Sequence, residues 1–218
     1  MFKKVLICAV LTTALMIGGC GEEKIIGTPE KAILAYAETV MTGTSENLSE
    51  AGFVADNQKE IRHAMTKKFI SSMENIVPLN DDSAEQLTKI YFDKLKGNVT
   101  FKATLKKDDA NNPIVELTAT PIDQVASAKS AGKNDEFIAL IGMIGKLKSE
   151  GATDDQIKEN SDVQKLAVAA IGKTIDALSF QPEQTFEVPC HKIKGSDGNT
   201  HWAPADGDAL INFLTGQS

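Results

Sequence analysis

The chain has 218 residues, with 23 Lys plus Arg against 30 Asp plus Glu, a formal charge of −7, and 42% hydrophobic residues. The acidic balance argues against a nucleic-acid ligand, whose phosphates need a basic footprint, and against lying flat on anionic lipid. The length suits one core, or one core with an appendage, and no low-complexity tract interrupts it.

Met1-Phe2-Lys3-Lys4 opens the chain with positive charge, and Val5 to Ile17 follows without any. Such a run has the length of a signal-peptide core and falls short of the roughly twenty apolar residues that span a bilayer. Ile17-Gly18-Gly19-Cys20 then resembles a bacterial lipobox: an aliphatic residue, two small residues and a cysteine. The resemblance implies a signal peptide over 1–19, cleavage after Gly19, lipid on the Cys20 sulfur and acylation of the new amino terminus. Several acyl chains make an anchor stable where one does not. Loss of Lys3 and Lys4 with the leader takes the formal charge from −7 to −9. Cys8 leaves too and Cys20 is committed to lipid, so Cys190 has no partner for a disulfide.

Residues 20–27 read as a lipidated tether reaching at most about 25 Å, and 28–218 as a single α+β domain. Thr28-Pro29-Glu30 is a helix start, with an N-cap, a proline at the first position and an acid in the first turn. Ile33, Tyr36, Ala37, Val40 and Met41 share a face, and Gly43 stops the helix. A second helix is expected over 56–76, on a stripe of Ile61, Met65, Phe69, Met73 and Ile76. A third opens at Asp82-Ser83 and ends at Gly97. The period then becomes two: Val99, Phe101, Ala103 and Leu105, a turn at 108–113, then Val115, Leu117 and Ala119 predict a hairpin with one buried face. Helices are expected at 134–149, with Phe137, Ile141, Ile144 and Leu147 inward, and at 154–178. A second hairpin follows over 184–203, and a short helix from Asp208 to Leu214.

Strands grouped in hairpins define an α+β class: a four-stranded antiparallel sheet packed against helices, with 122–180 as a helical insertion. The lipobox, the tether and Thr28-Pro29-Glu30-Lys31-Ala32 resemble bacterial lipoproteins of the cystatin-like, nuclear-transport-factor-like α+β type. Phe186-Glu187-Val188, Lys194-Gly195-Ser196-Asp197-Gly198 and His201-Trp202 resemble their closing hairpin. These families are largely of unknown function, so the resemblance implies a fold and a location and carries no catalytic residue.

Several constellations invite a chemical reading. Ala167 to Thr174 ends in Gly-Lys-Thr, yet it lies in a helical stripe with alanine in place of the first glycine of a phosphate loop. Ser130-Ala131-Gly132-Lys133 has the spacing of a penicillin-binding nucleophile without its partner motifs. Cys190, His191 and His201 are metal-ligand types. A turn centred on Asp197-Gly198 places Lys194 opposite His201 and Ile193 opposite Trp202, which leaves Cys190 about 13 Å along the strand from His201. A bulge at Pro189 would change that. Asp108, Asp109, Asn111 and Asn112 lack the glycine and distal glutamate of a calcium loop. His63 has no catalytic neighbour, and Arg62 is the chain's one arginine.

The expectation is therefore a membrane-anchored, extracytoplasmic module that binds a small molecule or a protein, with no cofactor, no metal and no nucleic acid. Its binding surface is expected at Tyr36, Phe69, Phe101 and Trp202, residues that core packing explains equally well. A cell-envelope hydrolase assembled by folding and an envelope assembly factor are the alternatives.

Overall fold

The structure, a computed structural model, describes residues 24–51, 77–132, 134–195 and 198–217. The expected helix at 56–76, with Phe69 and His63, lies outside them, as do Cys20 and the whole leader. The fold is α+β, with a four-stranded antiparallel sheet and, among the described residues, seven α-helices. The chain divides into two compact units: Met1–Ala64 with Asn98–Ile122 and Phe180–Ser218, and Met65–Gly97 with Asp123–Ser179.

Unit 1 holds the sheet. Its strands are β1 (Phe101–Lys107), β2 (Ile114–Ala119), β5 (Gln184–Lys194) and β6 (Thr200–Pro204), in the order β1-β2-β5-β6. Two-residue strands β3 (Ile122–Asp123) and β4 (Ser179–Phe180) form a separate pair. The pairings Leu117 with Ala103 and with Phe186, and Val115 with Val188, put these side chains on one face, as the period of two predicts. Helix α1 (Pro29–Thr42) lies against β1, β2 and β6, and α7 (Gly207–Thr215) meets α1 and β5. Phe186 of β5 stacks on Phe213 of α7, with centroids 4.9 Å apart. Ile33, Met41, Leu117, Leu210 and Leu214 are fully buried in this layer.

Helix α1 begins and ends where its punctuation predicts. Gly43 closes it at φ 71°, a left-handed conformation that only glycine adopts without strain. Thr28 occupies the N-cap, but its side chain makes no capping bond there. The residues before it take on a structural role. Ile26 N–H donates to the Thr200 carbonyl at 2.8 Å and Thr200 N–H donates to the Lys24 carbonyl at 3.1 Å, so residues 24–26 extend the sheet along β6.

The expected register of the second hairpin is corrected by one residue. Ile193 faces His201 and Lys192 faces Trp202. Gly195 and Asn199 close the loop, with Gly195 N–H donating to Asn199, and Gly198 sits at φ 77°. Three residues therefore separate the closing pair, and the extra residue is accommodated by a left-handed glycine. Leu105 shares the inward side of β1 yet is 38% exposed, since the covered part of the sheet stops short of that strand's end.

Unit 2 is helical. It contains α2 (Asp81–Lys96), α3 (Gln124–Ala131), α4 (Asp135–Ser149), α5 (Asp154–Lys158) and α6 (Ser161–Asp176). Its core joins Leu79, Leu87, Leu140, Ile157, Val163, Ala167, Ile171 and Ile175. The single helix expected over 154–178 is two. Asn160 interrupts it, because its side chain accepts from the N–H groups of Asp162 and Val163 and starts α6 as a cap. Helix α3, which has little amphipathic signal, is capped by the Asp123 carboxylate accepting from Ala126 N–H. Thr153 forms the reciprocal capping box with Gln156 at the start of α5.

Candidate binding surface

The expected lining residues of unit 1 are largely enclosed. Tyr36 on α1 is 8% exposed and Trp202 on β6 is 7% exposed. Phe101 is half-buried on β1, at the opposite edge of the sheet from Trp202. Lys192 sets its ammonium 5.5 Å from the Trp202 ring centroid and donates to Asn111 Oδ1 at 3.4 Å, so a cation already covers that aromatic face. Phe69 lies outside the described residues.

The sheet also separates Cys190 from His201. Cys190 pairs with Pro204, and His201 pairs with Ile193, so the two side chains point to opposite faces. His201 is fully buried and His191 is exposed. Burial pushes the Cys190 thiol up from an ordinary 9.0 to about 12, and the Glu30 carboxylate nearby adds to the rise. The thiol donates to the Val188 carbonyl at 3.4 Å. A protonated, enclosed thiol is a poor nucleophile and a poor metal ligand, since both roles require the thiolate.

The other motifs resolve into local structure. Ala167 to Thr174 lies within α6, where Lys173 is 2.7 Å from Glu136. Ser130 is on α3, with its hydroxyl 3.4 Å from that of Ser179. In the β1–β2 turn the Asp109 carboxylate accepts from Asn111 and Asn112 N–H groups at 3.0 Å each. Those two bonds hold its carboxyl below the usual range and make it a turn-forming residue.

Among the described residues, two neighbouring exposed isoleucines that core packing does not use stand on α4. The helix packs along α6 with Leu140 fully buried. The expectation that Ile141 points inward is corrected: Ile141 is 54% exposed and Ile138 is 58% exposed. At about 100° per residue, Ile138, Gly142 and Gly145 lie roughly opposite Leu140, with Ile141 on the flank of the same outward ridge. Gly142 and Gly145 are both in the helix interior, at about 1 kcal/mol each relative to alanine. No contact among the described residues requires them, since a Cβ at either position would meet none of those residues within 4 Å. The ridge is therefore apolar and deeply notched. Asp135 stands at its N-terminal end and Lys148 at its C-terminal end. Clusters of exposed aliphatic side chains on a surface mark contact sites more often than isolated ones do. The sequence carried the signal: 137–147 is apolar on nearly every side, more than one buried stripe can use.

No protein-family model matches the chain. No curated protein matches it at a significant level. Among solved structures, it is similar to the crystal structure of an inferred lipoprotein (ycdA) from Bacillus subtilis subsp. subtilis str. 168, with a TM-score of 0.53 and 16% sequence identity. The likeness covers 86% of this chain and 56% of that one, so the chain spans little more than half of that protein's length. At this identity the likeness concerns the fold. No helix among the described residues is long and apolar enough to cross a membrane.

Proposed function

We propose that the chain is a lipid-anchored extracytoplasmic lipoprotein of the cystatin-like type, serving as a protein-interaction module. Its anchor is Cys20 and its contact surface is the α4 ridge. The carrying observation is that Ile138 and Ile141 stand more than half exposed beside two glycines that no contact among the described residues requires. The basic-apolar-small-small-Cys order of the leader supports the anchor. The likeness to an inferred lipoprotein agrees with it. A long N-terminal helix across one face of an antiparallel sheet supports the fold type. The pairing of residues 24–26 with Thr200 leaves three residues between Cys20 and the sheet edge, a reach of about 10 Å. Unit 1 would then sit against the membrane surface. A protein partner is favoured over a small ligand because the surface is a convex ridge, whereas small-molecule sites are concave.

The test is a photo-reactive amino acid in place of Ile138 in the full chain, produced in a bacterial envelope. A control carries it in place of the exposed Gln86 on α2. A protein adduct formed at position 138 and absent at 86 is expected. Equal labelling at both positions, or none at 138, refutes the contact surface.

A further inference from the structure

We propose that one pole of unit 1, the closed end of the β5–β6 hairpin with Lys24, Ile25 and Lys194, rests on the phospholipid headgroups of the membrane that carries the anchor. This rests on the reading of Cys20 as a lipid anchor and names the face that meets the bilayer.

The path of the chain sets the direction. Thr200 N–H donates to the Lys24 carbonyl, Ile26 N–H donates to the Thr200 carbonyl, and Ile25 bridges Thr200 in parallel. Residues 24–26 therefore run the same way as β6, which begins at Thr200 opposite Lys194. Followed back toward Cys20, the chain leaves the sheet at the end that Gly195 and Asn199 close. Three residues then separate Lys24 from Cys20, a reach of about 10 Å. Strand β5 spans 11 residues, so Gln184 lies about 33 Å from Lys194 along the sheet. The tether is short against that length, and it departs from one pole.

The side chains at that pole suit headgroups. Ile25 is an aliphatic residue left 39% exposed. It shares a face with Thr200 and Lys194, because bridged and paired residues point the same way. Lys194 and Lys24 are both exposed. Lysine amino groups reach lipid phosphates while an aliphatic neighbour enters the headgroup layer. Among the described residues, the acids nearest this pole are Asp108 and Asp109 of the β1–β2 turn, which the bond from Lys192 to Asn111 places at the same end. Asp109 is engaged by Lys107 at 3.3 Å and by the N–H groups of Asn111 and Asn112. Glu22 and Glu23 belong to the tether itself. The formal charge of −9 after Gly19 opposes laying the whole domain on an anionic leaflet, so the sheet stands on its pole.

The test uses the full chain, produced with its leader in a bacterial envelope, purified in detergent and reconstituted in vesicles. The vesicles are phosphatidylethanolamine and phosphatidylglycerol with a headgroup-quencher lipid. A fluorophore is carried on Ala110→Cys, in the β1–β2 turn, or on Lys102→Cys, whose strand neighbours Thr118 and Thr185 lie at the far end of the sheet. Both positions are exposed, and the buried Cys190 does not take the label. Quenching several-fold stronger at 110 than at 102 is expected. Ile25→Asp with Lys194→Glu should bring the two close to equal, with circular dichroism unchanged and the lipid still attached. Equal quenching without those substitutions, or stronger quenching at 102, in a chain that floats with the vesicles overturns the docked pole and leaves the anchor standing. A contrast that survives both substitutions overturns the contact at Ile25 and Lys194. A chain that carries no lipid mass at Cys20 and does not float overturns the anchor and the docked pole together.

Discussion

Gln164 of α6 accepts a hydrogen bond from the backbone N–H of Asn80 at 3.1 Å, fixing the N-cap residue of α2 to a helix more than eighty positions away. Its amide also donates to the carbonyls of Pro78 at 2.7 Å and Lys158 at 2.8 Å. One buried side chain thus satisfies three backbone groups at the ends of separate elements. Gln164→Leu keeps much of the volume and leaves all three unpaired. The expected loss is about 3 kcal/mol, read from urea unfolding. Gln164→Glu retains the acceptor but turns a carboxylate toward two carbonyls. Its stability should recover partly on acidification, when a protonated carboxyl can donate again. An unchanged unfolding midpoint in both variants would show that these bonds contribute nothing.

Cys190 should resist alkylation at pH 8 in the folded chain and react once urea exposes it. Its pKa is raised in the fold, from 9.0 to about 12, so its contribution to stability is complete below pH 9 and is lost as pH rises toward 12. The margin by which the native chain exceeds Cys190→Ala in urea midpoint should therefore shrink between pH 8 and pH 11. A constant margin contradicts the burial described for the thiol.

Gly142→Ala and Gly145→Ala should each raise the stability of the chain by about 1 kcal/mol, an increase of roughly 2–4 °C in melting temperature. Both positions are helical, and a Cβ at either meets nothing within 4 Å. Differential scanning calorimetry decides the sign. A loss at either site would reveal an internal close approach.

Cys20→Ser in the full chain should move the protein out of the detergent-soluble membrane fraction or leave its leader uncleaved. Fractionation with mass measurement of the mature amino terminus distinguishes these outcomes from the native chain. Retention of a lipid-sized mass increment in the variant would remove Cys20 as the attachment point.

Much of the architecture was legible because it depends on short-range rules. Thr28-Pro29 and Gly43 bracket α1 at the expected ends, and the alternation at 101–119 gives a hairpin whose pairing brings Ala103 to Leu117. The break at Asn160 was not legible, since the apolar stripe continues across it and only the side-chain cap reveals the restart. The register of β5 and β6 turned on whether two or three residues close the loop, which composition alone leaves open. The sequence places Ile141 inward for a related reason. A helix apolar on most sides has no unique buried face until a neighbour selects one, and α6 selects Leu140. Aromatic residues gave the least information about the site. Tyr36 and Trp202 look alike in sequence whether they await a ligand or fill a core, and here both are buried.

The pairing of β2 with β5 has a kinetic consequence. Ala119 meets Gln184, so forming that seam encloses residues 120–183 in a single closed loop. The entropic cost of closure grows only slowly with loop length, but it must be met before the distant contacts form. Helices α4 and α6 pack on each other through contacts much nearer in sequence. Pulsed hydrogen exchange during refolding should protect the amides of α6 before those of Leu117 and Phe186. The central seam of the sheet would then become native after α6, and until it does, strands of neighbouring unfinished copies have the opportunity to pair with one another.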